Sequence, residues 1–147
     1  MDKINLQSKT KASKGMVEAY WFENENIGLK NTLFHRITIP LTQFDSVLDY
    51  EEQPVNTQII LDWYELGLSE PELLDGLELS HKSYPEAEGS VYVGNAHNWC
   101  DVKKLEITKK NTNEFCAKVE LIIEFENEGV AENESFNFET SLEFIKA

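Results

Sequence analysis

The stretch from Phe115 to Phe125 reads FCAKVELIIEF and places an apolar residue at every second position from Phe115 onward. A second run, FNFETSLEF from Phe136 to Phe144, repeats this pattern, and a shorter run around Leu105 and Ile107 precedes both. Successive side chains of a β-strand point to opposite faces, so a period of two predicts strands with one buried face. Three such runs joined by polar loops predict an antiparallel meander from Val102 to Phe144.

Charge pairing predicts how these strands align. Placing Leu105 opposite Val119 brings opposite charges together in two cross-strand pairs: Lys104 with Glu120, and Glu106 with Lys118. Such pairs stabilise a sheet by a few tenths of a kcal/mol, up to about 1 kcal/mol. For the next two strands we expect Phe125 opposite Phe136, which would set Lys118 against Glu143 and Glu124 against Asn137.

The first half of the chain predicts a mixture of strands and short helices. Met16–Glu23 and Thr32–Ile39 are rich in aromatic and β-branched residues and are expected to pair as a hairpin. Helical spacing fits a short helix over 42–50, although this segment could also be extended, and a capping pattern predicts a helix over 69–76. Residues 57–68 fit either a strand or a helix, and β-branching at Ile59 and Ile60 favours the strand.

Length and composition indicate one domain over residues 1–147. The chain has 147 residues, 41% of them hydrophobic, which is enough to build a core without disulfides or metals. Residues 1–15 are polar and predict a flexible, solvated lead-in. The expected fold is α+β and rich in β-structure: an antiparallel meander sheet, arranged as a sandwich or a partly closed barrel, with one or two short helices.

The charge balance narrows the classes of partner. Asp and Glu total 27 against 13 Lys and Arg, which gives a formal net charge of −14. Such a surface repels nucleic-acid backbones and anionic membranes, and it attracts basic proteins. The alternative is that acidity only keeps the protein soluble. No signal peptide or membrane-spanning run is visible, and two cysteines make no disulfide framework, so we expect a soluble cytoplasmic protein with reduced thiols.

The outward positions of the meander predict a partner-binding surface that is acidic with an apolar centre. Exposed aromatic residues usually supply the strongest contacts in an interface, which adds Trp99. The alternative is a solvated sheet face with one stray isoleucine. The predicted partner-binding residues are Trp99, Glu120, Ile122, Glu124, Glu126, Glu128, Glu132, Glu134 and Glu139.

The sequence contains few candidates for chemistry. His97, Cys100 and Asp101 have ligand types that zinc accepts, but a structural zinc site usually shows two close pairs. Cys100 with His97 or His81 could form a nucleophile pair, although an acidic protein tends to raise a thiol pKa. No phosphate-binding, dinucleotide-binding or hydrolase motif is present. We therefore expect no catalytic residues, no cofactor and no metal.

Three segments of the second half carry a resemblance to a known class of protein. They are SVYVGNAHNWCDVKKLEI from Ser90, KVELIIEFENEG from Lys118 and SFNFETSLEF from Ser135. In pattern they resemble the small acidic β-rich immunity proteins of bacterial polymorphic and contact-dependent toxin systems. The resemblance implies a cytoplasmic antidote that binds one cognate toxin domain, often a basic nuclease, and covers its active site. It carries over no individual residues and leaves the oligomeric state open.

Two other functions compete with this interpretation. A curved meander closing on residues 16–39 could enclose an apolar cavity for a small molecule or lipid. An open cavity lined by Phe115, Phe125, Phe136 and Phe138 would favour that function, whereas a solid core would favour a binding module. The other competitor is an enzyme or housekeeping domain of a kind that the sequence does not identify.

Overall fold

A computed structural model describes residues 1–146 and shows a single sheet of seven strands closed into a barrel. Neighbouring strands along the chain pair antiparallel, and a short parallel pairing of β1 with β7 closes the sheet. Of the two predicted arrangements, a sandwich and a partly closed barrel, the structure is nearer the second, but its barrel is fully closed. The strands are β1 Gly15–Asn24, β2 Leu29–Pro40, β3 Gln58–Tyr64, β4 Glu88–Val93, β5 Ala96–Asn111, β6 Glu114–Ile123 and β7 Glu134–Ile145.

The predicted meander is confirmed as β5, β6 and β7. The predicted register of β5 on β6 is also confirmed, with Leu105 opposite Val119. The predicted register of β6 on β7 is wrong by four residues: Leu121 lies opposite Phe136, and Lys118 opposite Glu139. The alternation continues through Phe125, but the strand ends at Ile123 and the chain turns through a 3-10 helix at Phe125–Glu128.

The first half follows the predicted strands but not the predicted helices. The β1–β2 hairpin is confirmed, and residues 57–68 contain strand β3. Residues 42–50 form no helix, because Phe44 exchanges backbone hydrogen bonds with Val55. Residues 69–76 form turns instead of the capped helix. The following segment pairs with β5, where Leu79 N–H donates to the Leu105 carbonyl.

The predicted solvated lead-in is a packed part of the structure. Ile4 and Leu6 are fully buried, and Leu6–Lys9 forms the single α-helix, α1, of the described chain. The Glu134 carboxylate accepts hydrogen bonds from the backbone N–H groups of Asn5 and Leu6 at 3.1 and 2.8 Å. This contact satisfies donors that a helix start otherwise leaves unpaired, and it ties the N-terminus to β7.

Side chains fill the interior of the barrel. Phe115, Phe125 and Phe136 are each at most 1% exposed, and Phe138 packs on Phe136 with ring centroids 5.2 Å apart. These aromatic rings belong to one continuous core instead of lining an open cavity. Within residues 1–146, no helix has both the length and the apolar character needed to cross a bilayer.

Candidate functional site

A β-bulge in β3 shapes the outer surface of the barrel. Asp62 and Trp63 together stand opposite the single residue Arg36, because the β2–β3 register shifts by one between the His35 and Ile37 pairs. Trp63 takes the left-handed conformation at φ 63°, which large side chains rarely adopt. The extra residue lets Tyr64 return to the core, where it is fully buried.

The bulge brings Asp62 into a polar network on the outside of β1, β2 and β3. Arg36 Nε donates to Asp62 Oδ2 at 2.8 Å, and the Tyr20 hydroxyl donates to Asp62 Oδ1 at 2.5 Å. The Arg36 guanidinium also lies 4.7 Å from the centre of the Tyr20 ring and contacts Glu18 at 3.3 Å. Burial, reinforced by the neighbouring Asp62 carboxylate, raises the pKa of the Tyr20 phenol well above its ordinary value.

Trp63 packs edge-on against three aromatic rings on the same outer face. Its ring centroid lies 6.1 Å from that of Tyr20, 5.2 Å from Phe22 and 5.3 Å from Phe34. Edge-to-face contacts of this kind stabilise by about 0.5–1.5 kcal/mol each beyond the buried area. The cluster holds the indole in one place despite the unfavourable backbone conformation, a combination that is common at functional sites.

A groove runs from Trp63 across the outer face of β3, β4 and β5. Its first part, about 420 Å³, has Trp63 and Trp99 in its lining and the small residues Gly89 and Ser90 in its floor. A second cavity of about 430 Å³ shares Ile60, Ser90 and His97 with the first and reaches Tyr92. We call the two together the β3–β5 groove. The lining combines aromatic surface with a few polar groups, as is common for binding sites.

The groove is electrostatically negative. Asp62 and Glu88 lie directly opposite each other on paired strands. Two like charges in this arrangement destabilise the sheet. Arg36 compensates Asp62, whereas Glu88 has no ion-pair partner among residues 1–146. Glu128, on the 3-10 helix after β6, adds a third carboxylate to the lining.

Part of the predicted partner-binding set meets at this groove. Trp99 is 38% exposed and lines it together with Glu128. Glu124 is not part of the lining, but its backbone N–H donates to the Trp99 carbonyl at 2.8 Å. Two residues of the predicted set thus lie in one wall of the groove, and the opposite wall comes from the bulge in β3.

Three predicted residues lie apart from the groove, on the outward face of β6 and β7. Glu120 and Glu139 are exposed, and Ile122 is half-buried between Asp101 and Ser135 on the flanking strands. Lysines partly offset the charge here: Lys118 lies 3.7 Å from Glu139, and Lys104 pairs with Glu106 at 2.9 Å. This face is consequently less negative than its count of glutamates implies.

The remaining three predicted glutamates already have partners within the protein. The Glu126 carboxylate accepts from Asn133 N–H at 3.0 Å, while Asn133 Oδ1 accepts from Glu126 N–H. Glu132 lies 3.5 Å from Lys3, and Glu134 holds the start of α1. Burial raises the pKa of the Glu134 carboxyl, against the effect of its two backbone donors.

The structure does not bring the predicted chemistry candidates together. His97 points outward beside Tyr92, whereas Cys100 is fully buried on the inward face of β5. Burial raises the pKa of the Cys100 thiol far above its ordinary value, which suppresses the reactive thiolate. Cys116 is half-exposed on a different strand, and both cysteines are free. In the part of the chain that the structure describes, no group of three His, Cys, Asp or Glu is placed to hold a metal ion.

His81 lies beside the groove and is held as a neutral ring. Its Nδ1 accepts from Val102 N–H at 3.1 Å, which places the ring hydrogen on Nε2. Asp101 Oδ1 lies 3.4 Å from the same Nδ1, but this contact contains no hydrogen bond while Nδ1 acts as an acceptor. Burial lowers the pKa of His81, and Asp101 opposes that shift. The His81 ring packs against the Trp99 indole, with the two ring centroids 5.6 Å apart.

Sequence reasoning missed Asp62, Trp63 and Glu88. The only feature of the sequence that pointed to an irregular strand here was that residues 57–68 fit both a strand and a helix. A bulge can be recognised only when the pairing of β2 with β3 is known. Comparison with known proteins adds no relatives: no family model, curated protein or solved structure matches this chain.

Proposed function

We propose that this protein is a non-enzymatic binding module whose acidic outer surface captures a basic protein, and that it acts as a cytoplasmic immunity protein. Its partner would be a cognate toxin domain, of the basic nuclease type, whose active site it covers. The observation that carries the proposal is the exposed Trp99 beside Glu128, with Glu124 hydrogen-bonded to Trp99 through the backbone, on a barrel with a filled interior.

The architecture supports binding through the outside of the barrel. An antidote has to present a preformed surface, because ordering a flexible surface on binding lowers affinity. The core leaves no open space around Phe115, Phe125 and Phe136, which argues against the lipid-carrier alternative. The contacts that fix Trp63 and Trp99 keep two large aromatic side chains in place before a partner arrives.

Charge supports a basic partner. A net charge of −14 on 147 residues accelerates encounter with a cationic protein and disfavours nucleic acid as the ligand. Surface carboxylates can also occupy the positions that phosphates take in a nuclease groove. An antidote benefits from fast capture, and opposite charge raises association rates more than it raises final affinity.

The test is growth rescue in bacteria. The C-terminal domain encoded directly upstream of this gene is expressed alone and together with this protein. We expect the domain to stop growth and co-expression to restore it. Charge reversal by Glu124→Lys with Glu128→Lys should weaken rescue, whereas Glu23→Lys, on the exposed β1–β2 hairpin, should not. A harmless upstream domain, or a toxic one that this protein does not neutralise, would contradict the proposal.

A further inference from the structure

We infer that the β3–β5 groove binds an extended, arginine-containing segment of the protein partner, with a guanidinium group seated between Trp63 and Trp99. This inference deepens the proposed function by naming the binding place and the chemistry of the occupant. It starts from the two tryptophans, which line the same cavity from β3 and β5.

The lining favours a cation. Asp62, Glu88 and Glu128 all line one cavity, and among residues 1–146 only Asp62 has a cationic partner. Arg36 compensates Asp62, so Glu88 and Glu128 supply the negative charge that an incoming cation would neutralise. Charge complementarity therefore selects a basic occupant over an acidic or purely apolar one.

Arginine fits this lining better than lysine. A guanidinium group stacks on indole faces and forms paired hydrogen bonds with a carboxylate, whereas an ammonium group acts as a compact point charge. The protein already uses the same combination next to the groove, where Arg36 bonds Asp62 and lies over the Tyr20 ring. The groove lining offers the same kinds of group, an aromatic ring in Trp99 and carboxylates in Glu88 and Glu128.

The shape favours an extended segment. The two cavities that make up the groove each measure about 420–430 Å³ and join at Ile60, Ser90 and His97. Between them lies Ser90, an outward position of β4 whose short side chain keeps the floor low. A chain of several residues can follow this path from Trp63 to Tyr92.

The experiment is an NMR titration with a capped hexapeptide of alternating serine and arginine, against a matched peptide with glutamine in place of arginine. We expect the indole N–H signals of Trp63 and Trp99 to shift saturably with the arginine peptide only. Trp21, which is 65% exposed on the β1–β2 hairpin, serves as the internal reference and should not shift. Weaker binding of a lysine peptide would support the arginine preference, and equal binding would overturn it.

Variants distinguish peptide binding in the groove from binding to the acidic surface in general. We expect Trp99→Ala to weaken peptide binding by about fivefold and Glu88→Gln by about threefold. Glu120→Gln removes the same charge outside the groove and should leave binding unchanged. Equal effects of Glu88→Gln and Glu120→Gln, shifts that include Trp21, or no saturable shift would each overturn the inference.

The same variants distinguish this inference from the proposed function. If the toxin domain is neutralised normally by Glu88→Gln and Trp99→Ala variants, the groove assignment is wrong while the immunity function stands. If the arginine peptide binds in the groove but the upstream domain is not neutralised, the groove stands and the immunity function is wrong.

Discussion

Tyr20 and Asp62 are joined by a hydrogen bond of 2.5 Å although they lie on β1 and β3, two strands that do not pair with each other. The bond passes over β2 and packs Arg36 beneath the Tyr20 ring. It therefore links the bulge in β3 to the β1–β2 hairpin. Because Trp63 of the bulge forms one wall of the groove, the bond also fixes that wall to β1 and β2.

Replacing Tyr20 with phenylalanine should expose this coupling. The bond ends on a carboxylate, so we expect Tyr20→Phe to lower the free energy of unfolding by about 1–2 kcal/mol at neutral pH. The folded protein also holds the Tyr20 proton more tightly than the unfolded chain, so wild-type stability should fall as the pH rises above about 10. Urea unfolding at neutral and alkaline pH checks both effects. If the variant loses as much stability at high pH as the wild type, the Tyr20 proton does not contribute to the alkaline loss of stability.

The β6–β7 register can be tested with a cross-strand disulfide. Cys116 lies opposite Ser141, and opposed Cα atoms in antiparallel strands are about 4.5–5.5 Å apart, which a disulfide can span. We expect Ser141→Cys to form a bond with Cys116 under mild oxidation, measured by thiol titration and peptide mapping. Ile145→Cys is the control, because the register predicted from sequence places Ile145 opposite Cys116. Cross-linking of Ile145→Cys in place of Ser141→Cys would show that the structure has the wrong register.

The meander was predictable because the apolar alternation of β5, β6 and β7 is regular and β5–β6 charges select one register. The β6–β7 register was not, because Phe125 continues the alternation although it follows the strand. Its ring stays buried while the backbone turns toward Gly129, where φ is +67°. A period of two places side chains on faces, but it does not show where a strand ends.

The predicted helix over 69–76 is wrong because tertiary pairing outweighs a local preference. The capping pattern at Ser69 and Glu72 is a local preference worth about 1 kcal/mol. Pairing of the following segment with β5 outweighs it, since Gly76 N–H, Leu79 N–H and His81 N–H all donate to β5 carbonyls. The groove was only half predictable for the same kind of reason, because Trp63 reaches it through a bulge that tertiary pairing creates.

The packing of the N-terminal segment can be measured directly. Leu6 is fully buried, so Leu6→Ala should lower the free energy of unfolding by about 2–4 kcal/mol. Lys11→Ala, at an exposed position of the same segment, should change it by less than about 0.5 kcal/mol. Chemical denaturation checks both. A solvated lead-in would make the two substitutions equally harmless.

His35 should contribute to acid sensitivity. Its Nε2–H donates to the Pro71 carbonyl at 2.8 Å, and burial lowers its pKa below the ordinary value of 6.5. The unfolded chain therefore takes up this proton first, and stability should fall as the pH drops below about 6.5.

His35→Gln retains an N–H donor but does not titrate in this range. We expect the variant to lose less stability than the wild type between about pH 7.5 and about pH 5.5. Denaturant unfolding at both pH values measures the difference. An unchanged loss would mean that the His35 ring accepts its proton without cost in the folded protein.

The central claim is that acidic carboxylates on the outside of a rigid barrel capture a basic protein. Its most direct test is the association rate constant with the proposed partner, the C-terminal domain encoded directly upstream, measured by stopped-flow fluorescence of the tryptophans at increasing salt. We predict a fall of about tenfold or more between about 50 and about 500 mM sodium chloride, because salt screens the attraction that speeds encounter. An association rate that changes by less than about twofold over that range would contradict the account.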